Sequence, residues 1–259
     1  MTSQQKHYYL AYFKHWLHCV DAHSLHSPFI YQFYDQVIRQ PAKKFINPEA
    51  ENIRASFLND TSTIEIEDLG AGSFKRTLKR RVVKDIANTS SSAKFIGEFL
   101  AKCSRHIRAR NIIELGTNLG ITTRYLANNE AHVHSVEGSK ALHELAKRHL
   151  NELPNVTLYH NNIDLVLPEI IATLPHIDIA YVDANHTYEA TLKYVSLLAK
   201  KTIPSTVIAI GDIHWSEGME KAWSELVNDP QIQLTVDLFH LGLLFYAPLK
   251  EKQHYVLRF

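Results

Sequence analysis

The 259-residue sequence carries 28 lysines and arginines against 27 aspartates and glutamates, so its net charge of +1 offers no global field for nucleic acid or anionic membrane. With 45% hydrophobic residues, the chain is long enough to bury the core of one large α/β domain. Cys19 and Cys103 are too few and too far apart for a disulfide framework or a zinc motif, and no apolar run could span a bilayer. We therefore expect a cytoplasmic protein.

The first ninety residues predict a helical region in front of the main domain. Aromatic and aliphatic side chains recur at helical spacing between residues 5 and 20, and a second helix is predicted after Pro28. Because these helices precede the main domain, we expect residues 1–90 to form a cover that shapes a substrate pocket. Their aromatic side chains could also form the surface of a homodimer.

Residues 64–73 combine acidic side chains with two glycines. Alternating isoleucine and glutamate indicate a half-exposed strand, and the glycines predict a turn or lid. Arg76, Arg80 and Lys84 are spaced four apart, which predicts one face of a helix. The usual meaning of such a face is a solvated surface paired with acids. A surface that binds an anionic substrate or a nucleic acid is the alternative, and the near-neutral chain disfavours it.

From residue 92 onward, helices and strands alternate. A helix is predicted before the first strand and after each of five strands, at 111–115, 132–136, 156–160, 177–182 and 206–211. This order is typical of an α/β fold that is Rossmann-like and doubly wound, with a mostly parallel sheet. Residues 232–238 and 242–247 predict a C-terminal antiparallel hairpin that completes seven strands, and residues 255–259 could add an edge strand. We place this domain at residues 91–259.

Residues 111–123 predict a buried strand, a tight turn at Gly116 and Gly120, and the start of a helix, as in a mononucleotide site. Glu137 ends the next strand, where a carboxylate can accept hydrogen bonds from both ribose hydroxyls. Asn118 stands where a dinucleotide site has its middle glycine, and Glu114 would repel a pyrophosphate but suit a cationic ligand. These residues favour S-adenosylmethionine over NAD.

Ligands of open parallel sheets bind beyond the carboxyl ends of the strands, which selects further candidates. Asn162 and Ile163 follow the third strand and would lie beside an adenine ring, with a helix cap as the alternative for the asparagine. Gly138 follows Glu137 at the end of the second strand.

The fourth and fifth strands end at Asp183 and Asp212, each followed by a histidine. His186 or His214 could serve as a general base at neutral pH. A loop histidine bonded to the backbone is the alternative for each.

Four segments, in order, resemble the motifs of class I S-adenosylmethionine-dependent methyltransferases, closest to small-molecule O-methyltransferases of the catechol O-methyltransferase type. They are residues 112–123, 134–138, 179–191 and 208–215. The resemblance covers about residues 90–248 and leaves residues 1–90 without a motif. It implies an enzyme that uses S-adenosylmethionine to methylate an oxygen of a small molecule.

The resemblance also implies roles for individual residues. Asp183 would lie near the methyl group, between cofactor and acceptor. The methionine end of the cofactor would be shaped by Glu114, Gly116, Thr117 and Gly120, the ribose held by Glu137 beside Gly138, and the adenine flanked by Asn162 and Ile163.

In catechol-type enzymes, the positions of Asp183 and Asp212 ligate magnesium together with an asparagine after the second aspartate. Ile213 occupies that place here and cannot ligate through its side chain. Two carboxylates with waters could still hold Mg²⁺ or another divalent cation, and His214 could supply a different ligand.

A non-catalytic cofactor-binding protein and an NAD-dependent oxidoreductase remain the alternative functions.

Overall fold

In the computed structural model, strands and helices alternate between residues 94 and 228, as the hydrophobic pattern predicts. The structure describes residues 2–41, 45–68, 77–127 and 130–258. By their contacts they divide into two units, which we call the split unit (Met1–Gln40 with Pro175–Phe259) and the central unit (Pro41–Leu174). The predicted division of roles at residue 90 stays a prediction.

The central unit contains three parallel strands of the main sheet and a separate hairpin. The hairpin strands are β1 (Thr63–Asp68) and β2 (Thr77–Val82), and the parallel strands are β3 (Asn111–Leu115), β4 (His132–Glu137) and β5 (Val156–His160). The helices of this unit are α3 (Pro48–Leu58), α4 (Val83–Thr89), α5 (Lys94–Ile107), α6 (Ile121–Leu126), α7 (Lys140–Leu150) and α8 (Ile163–Thr173). Strand β4 lies between β3 and β5, with Val136 opposite Leu115 on one side and Tyr159 on the other.

The core of the central unit forms because β3 is apolar on both faces and the helices around it are amphipathic. Ile112, Ile113 and Leu115 of β3 are fully buried. Tyr125 of α6 is also fully buried, and its hydroxyl donates to Oε1 of Glu51 at 2.8 Å. Burial of such residues on both sheet faces supplies most of the driving force for this unit.

The prediction of a basic helix around Arg80 is wrong. Residues Thr77–Val82 form strand β2, which pairs with β1 in antiparallel register, Arg80 lying opposite Glu65. Nε of Arg80 donates to Oε1 of Glu65 at 3.1 Å, so the charge that suggested a helix face is a cross-strand ion pair. Lys84 lies in α4, and Arg76 and the glycines of the predicted turn or lid fall outside the described residues.

The split unit contains the other five strands of the main sheet. They are β6 (Ile177–Val182), β7 (Thr202–Gly211), β8 (Leu234–Asp237), β9 (Leu241–Phe245) and β10 (Gln253–Val256), and they lie in the order β10-β8-β9-β7-β6. Strand β9 is antiparallel to both β7 and β8, which confirms the predicted hairpin, and β10 is parallel to β8 at the edge. With β10, the main sheet has eight strands rather than seven.

The helices of the split unit are α1 (Ser3–His18), α2 (Pro28–Phe33), α9 (Tyr188–Ala199) and α10 (Glu217–Asn228). Ala11 and His15 of α1 are buried, whereas the opposite face is exposed. That face carries six large apolar side chains, each 51–62% exposed: Tyr9, Leu10, Tyr12, Phe13, Trp16 and Leu17. Within the described residues, no helix has the length and apolar character needed to cross a membrane.

Candidate functional site

The turn after β3 has the backbone that its glycines were expected to permit. Gly116 has φ 99° and Gly120 has φ 75°, both in the left-handed region that glycine favours. The amide of Gly116 donates to the carbonyl of Val136 at 2.9 Å, which ties the turn to β4. A Cβ on Gly120 would lie 2.8 Å from Cδ1 of Leu150, so a side chain there would collide with α7.

The Glu137 carboxylate is held by two backbone amides at the end of β4. Its Oε2 accepts from the amide of Asn118 at 2.8 Å, and its Oε1 accepts from the amide of Ser139 at 2.9 Å. The residue is only 8% exposed, and burial raises the pKa of Glu137 although these amides act to lower it. The backbone amide of Gly138 also acts to lower the pKa of Glu137.

Glu114 and Thr117 belong to a buried cluster of hydroxyl groups. Oε2 of Glu114 accepts from Oγ1 of Thr123 at 2.5 Å and from Oγ of Ser135 at 2.6 Å. Oγ1 of Thr117 lies 2.6 Å from the same Ser135 hydroxyl. Thr123 and Ser135 are not among the predicted site residues, and since β4 also carries two histidines, no pattern in the sequence singles out Ser135.

The end of β5 leads into α8 through a helix cap. Oδ1 of Asn162 accepts from the amide of Asp164 at 2.8 Å, while the side chain of Ile163 is buried. The cap alternative for Asn162 is therefore present in the structure. A contact of Asn162 or Ile163 with an adenine ring stays a prediction, as does a cofactor contact of the partly exposed Gly138.

In the split unit, Asp183, His186 and Asp212 come together at the ends of β6 and β7. One ligating atom from each lies within 4.8 Å of the others, and Nε2 of His186 is 3.8 Å from Oδ1 of Asp183. His186 and Asp212 have positive φ values of 31° and 56°, which are uncommon for residues other than glycine. Two carboxylates and one imidazole are a donor set that divalent first-row metals accept.

The electrostatics of this group agree with a cation site. Burial and the nearby negative charge of Asp183 raise the pKa of Asp212, because two carboxylates in one partly buried place repel each other. The amide of Asp212 donates to the carbonyl of His240 at 2.9 Å, which fixes the loop after β7. A positive ion at this place would relieve the repulsion.

The structure does not bring His214 into this group. Its Nε2 donates to Oδ2 of Asp237 at 2.8 Å, and its Nδ1 lies 3.2 Å from Oε1 of Glu220. Burial alone would lower the pKa of His214, but the two carboxylates raise it. An imidazolium whose two nitrogens are both engaged has no lone pair for a proton or a metal, so His186 is the histidine that joins the two aspartates.

Comparison with known proteins agrees with this arrangement. Residues 113–213 match the model of a methyltransferase domain family. Three solved structures have a similar fold. An O-methyltransferase from Bacillus cereus in complex with S-adenosylhomocysteine is 15% identical, with a TM-score of 0.54, and the match covers 84% of this chain and 97% of that one. PaMTH1 from Podospora anserina, bound to S-adenosylhomocysteine, is 14% identical with a TM-score of 0.54 and coverages of 78% and 97%, and the O-methyltransferase TomG from Streptomyces achromogenes, in complex with S-adenosylmethionine, is 17% identical with a TM-score of 0.52 and coverages of 61% and 82%. A search of the curated proteins finds no match. At these identities the solved structures establish the fold.

Proposed function

We propose that this chain, which contains a methyltransferase domain over residues 113–213, is an enzyme that uses S-adenosylmethionine to methylate an oxygen of a small molecule. The observation that carries the proposal is the Glu137 carboxylate, buried at the end of β4 and oriented by the amides of Asn118 and Ser139. A carboxylate held in this way is suited to the two hydroxyls of a ribose.

The charge of the central unit favours this cofactor over a dinucleotide. Glu114 is fully buried two residues before Gly116, and its negative charge would oppose a pyrophosphate at the turn. S-adenosylmethionine carries a sulfonium and an ammonium group and no phosphate. The three similar structures described above, two with S-adenosylhomocysteine and one with S-adenosylmethionine, support the same choice.

The residues of the central unit would bind and orient the cofactor. Glu137 would accept the ribose hydroxyls, and the Gly116–Gly120 turn would admit the methionine end because no side chain projects from either glycine. Glu114 would act through its charge and through the hydroxyls of Thr123 and Ser135, since its own carboxylate is buried. When bound, S-adenosylmethionine supplies an electrophilic methyl group.

The group in the split unit would manage the proton of the acceptor hydroxyl. Asp183, Asp212 and His186 would hold a divalent cation, which would lower the pKa of a hydroxyl bound beside it. In the absence of a cation, the His186 imidazole would take the proton, with the Asp183 carboxylate 3.8 Å away to stabilise the resulting positive charge. The rest of the acceptor molecule would be recognised by residues 1–90, which carry no motif that identifies it.

Calorimetry and a methylation assay together test the proposal. S-adenosylhomocysteine should bind with micromolar affinity and NAD should not bind. Labelled S-adenosylmethionine should transfer its methyl group to at least one compound of a panel of phenols, catechols and aliphatic alcohols, and Asp183→Asn should abolish the transfer while S-adenosylhomocysteine still binds. Binding of NAD alone would overturn the proposal, and cofactor binding with no methylated product would favour a binding protein.

We also propose that two copies of the chain associate through α1. Its exposed face carries six large side chains at roughly half exposure, which present about 600 Å² per copy if each side chain offers about 200 Å². Two such faces together would bury about 1,200 Å², the lower end of the range for stable interfaces. A monomer that leaves this much aromatic surface in water would be prone to association.

A cytoplasmic location is the remaining part of the proposal. Both cysteines are free in the structure, and neither has a partner with which to form a disulfide. Free thiols persist in a reducing compartment. Cys103 is buried, and burial raises its pKa, so it would be inert there, whereas Cys19 is partly exposed.

A further inference from the structure

We propose that the split unit contains a second small-molecule site, a cavity of about 360 Å³ beside α1 that binds a small aromatic carboxylate. The residues that line it are distinct from Asp183, His186 and Asp212, and the inference does not depend on methyl transfer. The cavity volume lies within the range of known ligand pockets.

Aromatic side chains form the walls of the cavity. Tyr12 and Trp16 come from α1, and Phe239 comes from the turn between β8 and β9. Because Tyr12 and Trp16 also belong to the exposed face of α1, a ligand in the cavity would compete with the association of two copies. The Tyr12 and Phe239 rings meet edge to face, with centroids 5.0 Å apart and an angle of 85° between their planes. Flat apolar walls of this kind suit a planar aromatic ring.

The polar side chains that line the cavity include His15, Cys19, His240 and Arg258. Within the described residues, Arg258 is exposed and forms no ion pair. Cys19 and Arg258 both line the cavity. Burial raises the pKa of the Cys19 thiol, and the positive charge of Arg258 acts against that rise. A planar guanidinium at one end of an aromatic-walled cavity matches a carboxylate attached to a ring.

The Phe239 wall is held in an unusual conformation by a buried carboxylate. Phe239 has φ 67°, which is rare for a bulky residue, and its amide donates to Oδ1 of Asp237 at 2.8 Å. Asp237 also accepts from Nε2 of His15 at 3.3 Å and from Nε2 of His214 at 2.8 Å. Strained backbone persists where its surroundings enforce it, often at binding sites. The hydrogen bonds from His15 and His214 stabilise the Asp237 carboxylate beside this wall.

The two cysteines provide a direct reporter of the cavity. Cys19 lines it and is partly exposed, whereas Cys103 is fully buried, so iodoacetamide should alkylate only Cys19 in the native protein. Without any cofactor, saturating 2-naphthoate should slow the alkylation of Cys19 about tenfold, as followed by peptide mass spectrometry. The neutral isostere 2-naphthamide should protect far less, because it cannot pair with Arg258.

A variant of Arg258 distinguishes binding of 2-naphthoate in this cavity from binding elsewhere on the protein. Arg258→Gln should raise the calorimetric Kd of 2-naphthoate about tenfold, the effect of losing one charge-assisted bond. Lys250→Gln is the matched control, since it removes one exposed positive charge from the same C-terminal segment without lining the cavity, and it should leave the Kd unchanged. Equal protection by the acid and the amide, an unchanged Kd in Arg258→Gln, or binding that leaves Cys19 unprotected would each overturn the proposal.

Discussion

A methyl group on Gly211 would overlap Oδ1 of the Asp183 carboxylate. Gly211 ends β7 and Asp183 follows β6, and these strands run parallel, with Ile210 opposite Val182. The Asp183 carboxylate therefore lies across the end of the neighbouring strand, in a place that only glycine leaves open. Gly211 therefore determines whether the Asp183 carboxylate can reach the candidate cation site, although Gly211 itself would not contact the cation.

Replacement of this glycine should disable the site in the split unit. In Gly211→Ala, the added methyl group would push the Asp183 carboxylate away from His186 and Asp212. We expect methyl-transfer kcat/KM to fall about a hundredfold, a loss typical of catalytic groups misplaced by about 1 Å. S-adenosylhomocysteine affinity, measured by calorimetry, should change less than twofold, because the proposed cofactor residues lie in the central unit.

Gly218→Ala is the matched control for this experiment. A Cβ at Gly218 would meet its nearest neighbour, Oγ of Ser216, at 3.8 Å, an ordinary contact. This variant should keep full activity and, as an alanine within α10, should be slightly more stable. Equal losses in the two glycine variants would show that the Asp183 overlap is not the cause.

Glu137→Gln should weaken cofactor binding. The amide side chain presents an NH₂ group to one of the two backbone amides that the carboxylate now accepts, so a buried donor would lose its partner. We expect a loss of about 1–3 kcal/mol in the free energy of unfolding and at least a tenfold rise in the Kd of S-adenosylhomocysteine. Glu144→Gln, at an exposed position in α7, should change neither quantity in the same melting and calorimetry experiments.

The sequence predicted the order of strands and helices and the aspartates that end β6 and β7. It could do so because parallel strands are read from buried apolar runs, and because their carboxyl ends meet at one edge of a sheet. The same reasoning placed Glu137 at the end of β4, although it did not show that the amide of Asn118 would orient its carboxylate. The hydrophobic pattern is therefore sufficient to predict site residues that directly follow a strand of a parallel sheet.

The pattern was insufficient where the outcome depends on contacts distant in the chain. The place of His214 after β7 makes it a candidate general base, but its partner Asp237 lies on another strand. The charge spacing around Arg80 predicts a helix, but in the structure this residue pairs with β1 across the hairpin. His186 was named as a base, and its positive φ, which helps to bring it to the aspartates, has no counterpart in the sequence.

Asp237 should stabilise the fold in a pH-dependent manner. Burial alone would raise its pKa, but the hydrogen bonds from His15 and His214 lower it well below the usual range. A lowered pKa gives stability that is present above the unfolded pKa, about 3.9, and is lost as pH falls toward the folded value. Asp237→Asn should therefore cost about 3 kcal/mol in urea unfolding at pH 7 and pH 5, and about 1 kcal/mol less than that at pH 3.

Asp35→Asn serves as the control for this pH series. Asp35 forms an exposed ion pair with Arg39, at 3.5 Å, and its removal should change stability little at any pH. A penalty for Asp237→Asn that grows as pH falls would contradict the assignment of a lowered pKa to the Asp237 carboxyl.

Association through α1 should depend on its exposed apolar face. The double variant Phe13→Asp, Leu17→Asp places two charges on that face and should convert a dimer to a monomer in analytical ultracentrifugation, because desolvating unpaired carboxylates at an interface is costly. Lys14→Gln, at an exposed position of the same helix outside the apolar set, should leave the dimer intact. A wild-type protein that is monomeric at high micromolar concentration would contradict the proposal.

The choice of cation should depend on His186. An imidazole beside two carboxylates favours a first-row metal such as Co²⁺ over Mg²⁺, which prefers oxygen ligands throughout. His186→Asn replaces the imidazole by an amide oxygen, and asparagine tolerates the positive φ of this position. We expect the Co²⁺ affinity, followed by the visible absorption of the ion, to fall at least tenfold while Mg²⁺ affinity stays within about threefold, a difference of about 1 kcal/mol in selectivity.

His176→Asn is the matched control, since His176 precedes β6 as His186 follows it and its Nε2 lies 3.3 Å from Oδ1 of Asp178. If both histidine variants keep the wild-type ratio of Co²⁺ to Mg²⁺ affinity, His186 is not a metal ligand, and its role is then that of the base that takes the acceptor's proton.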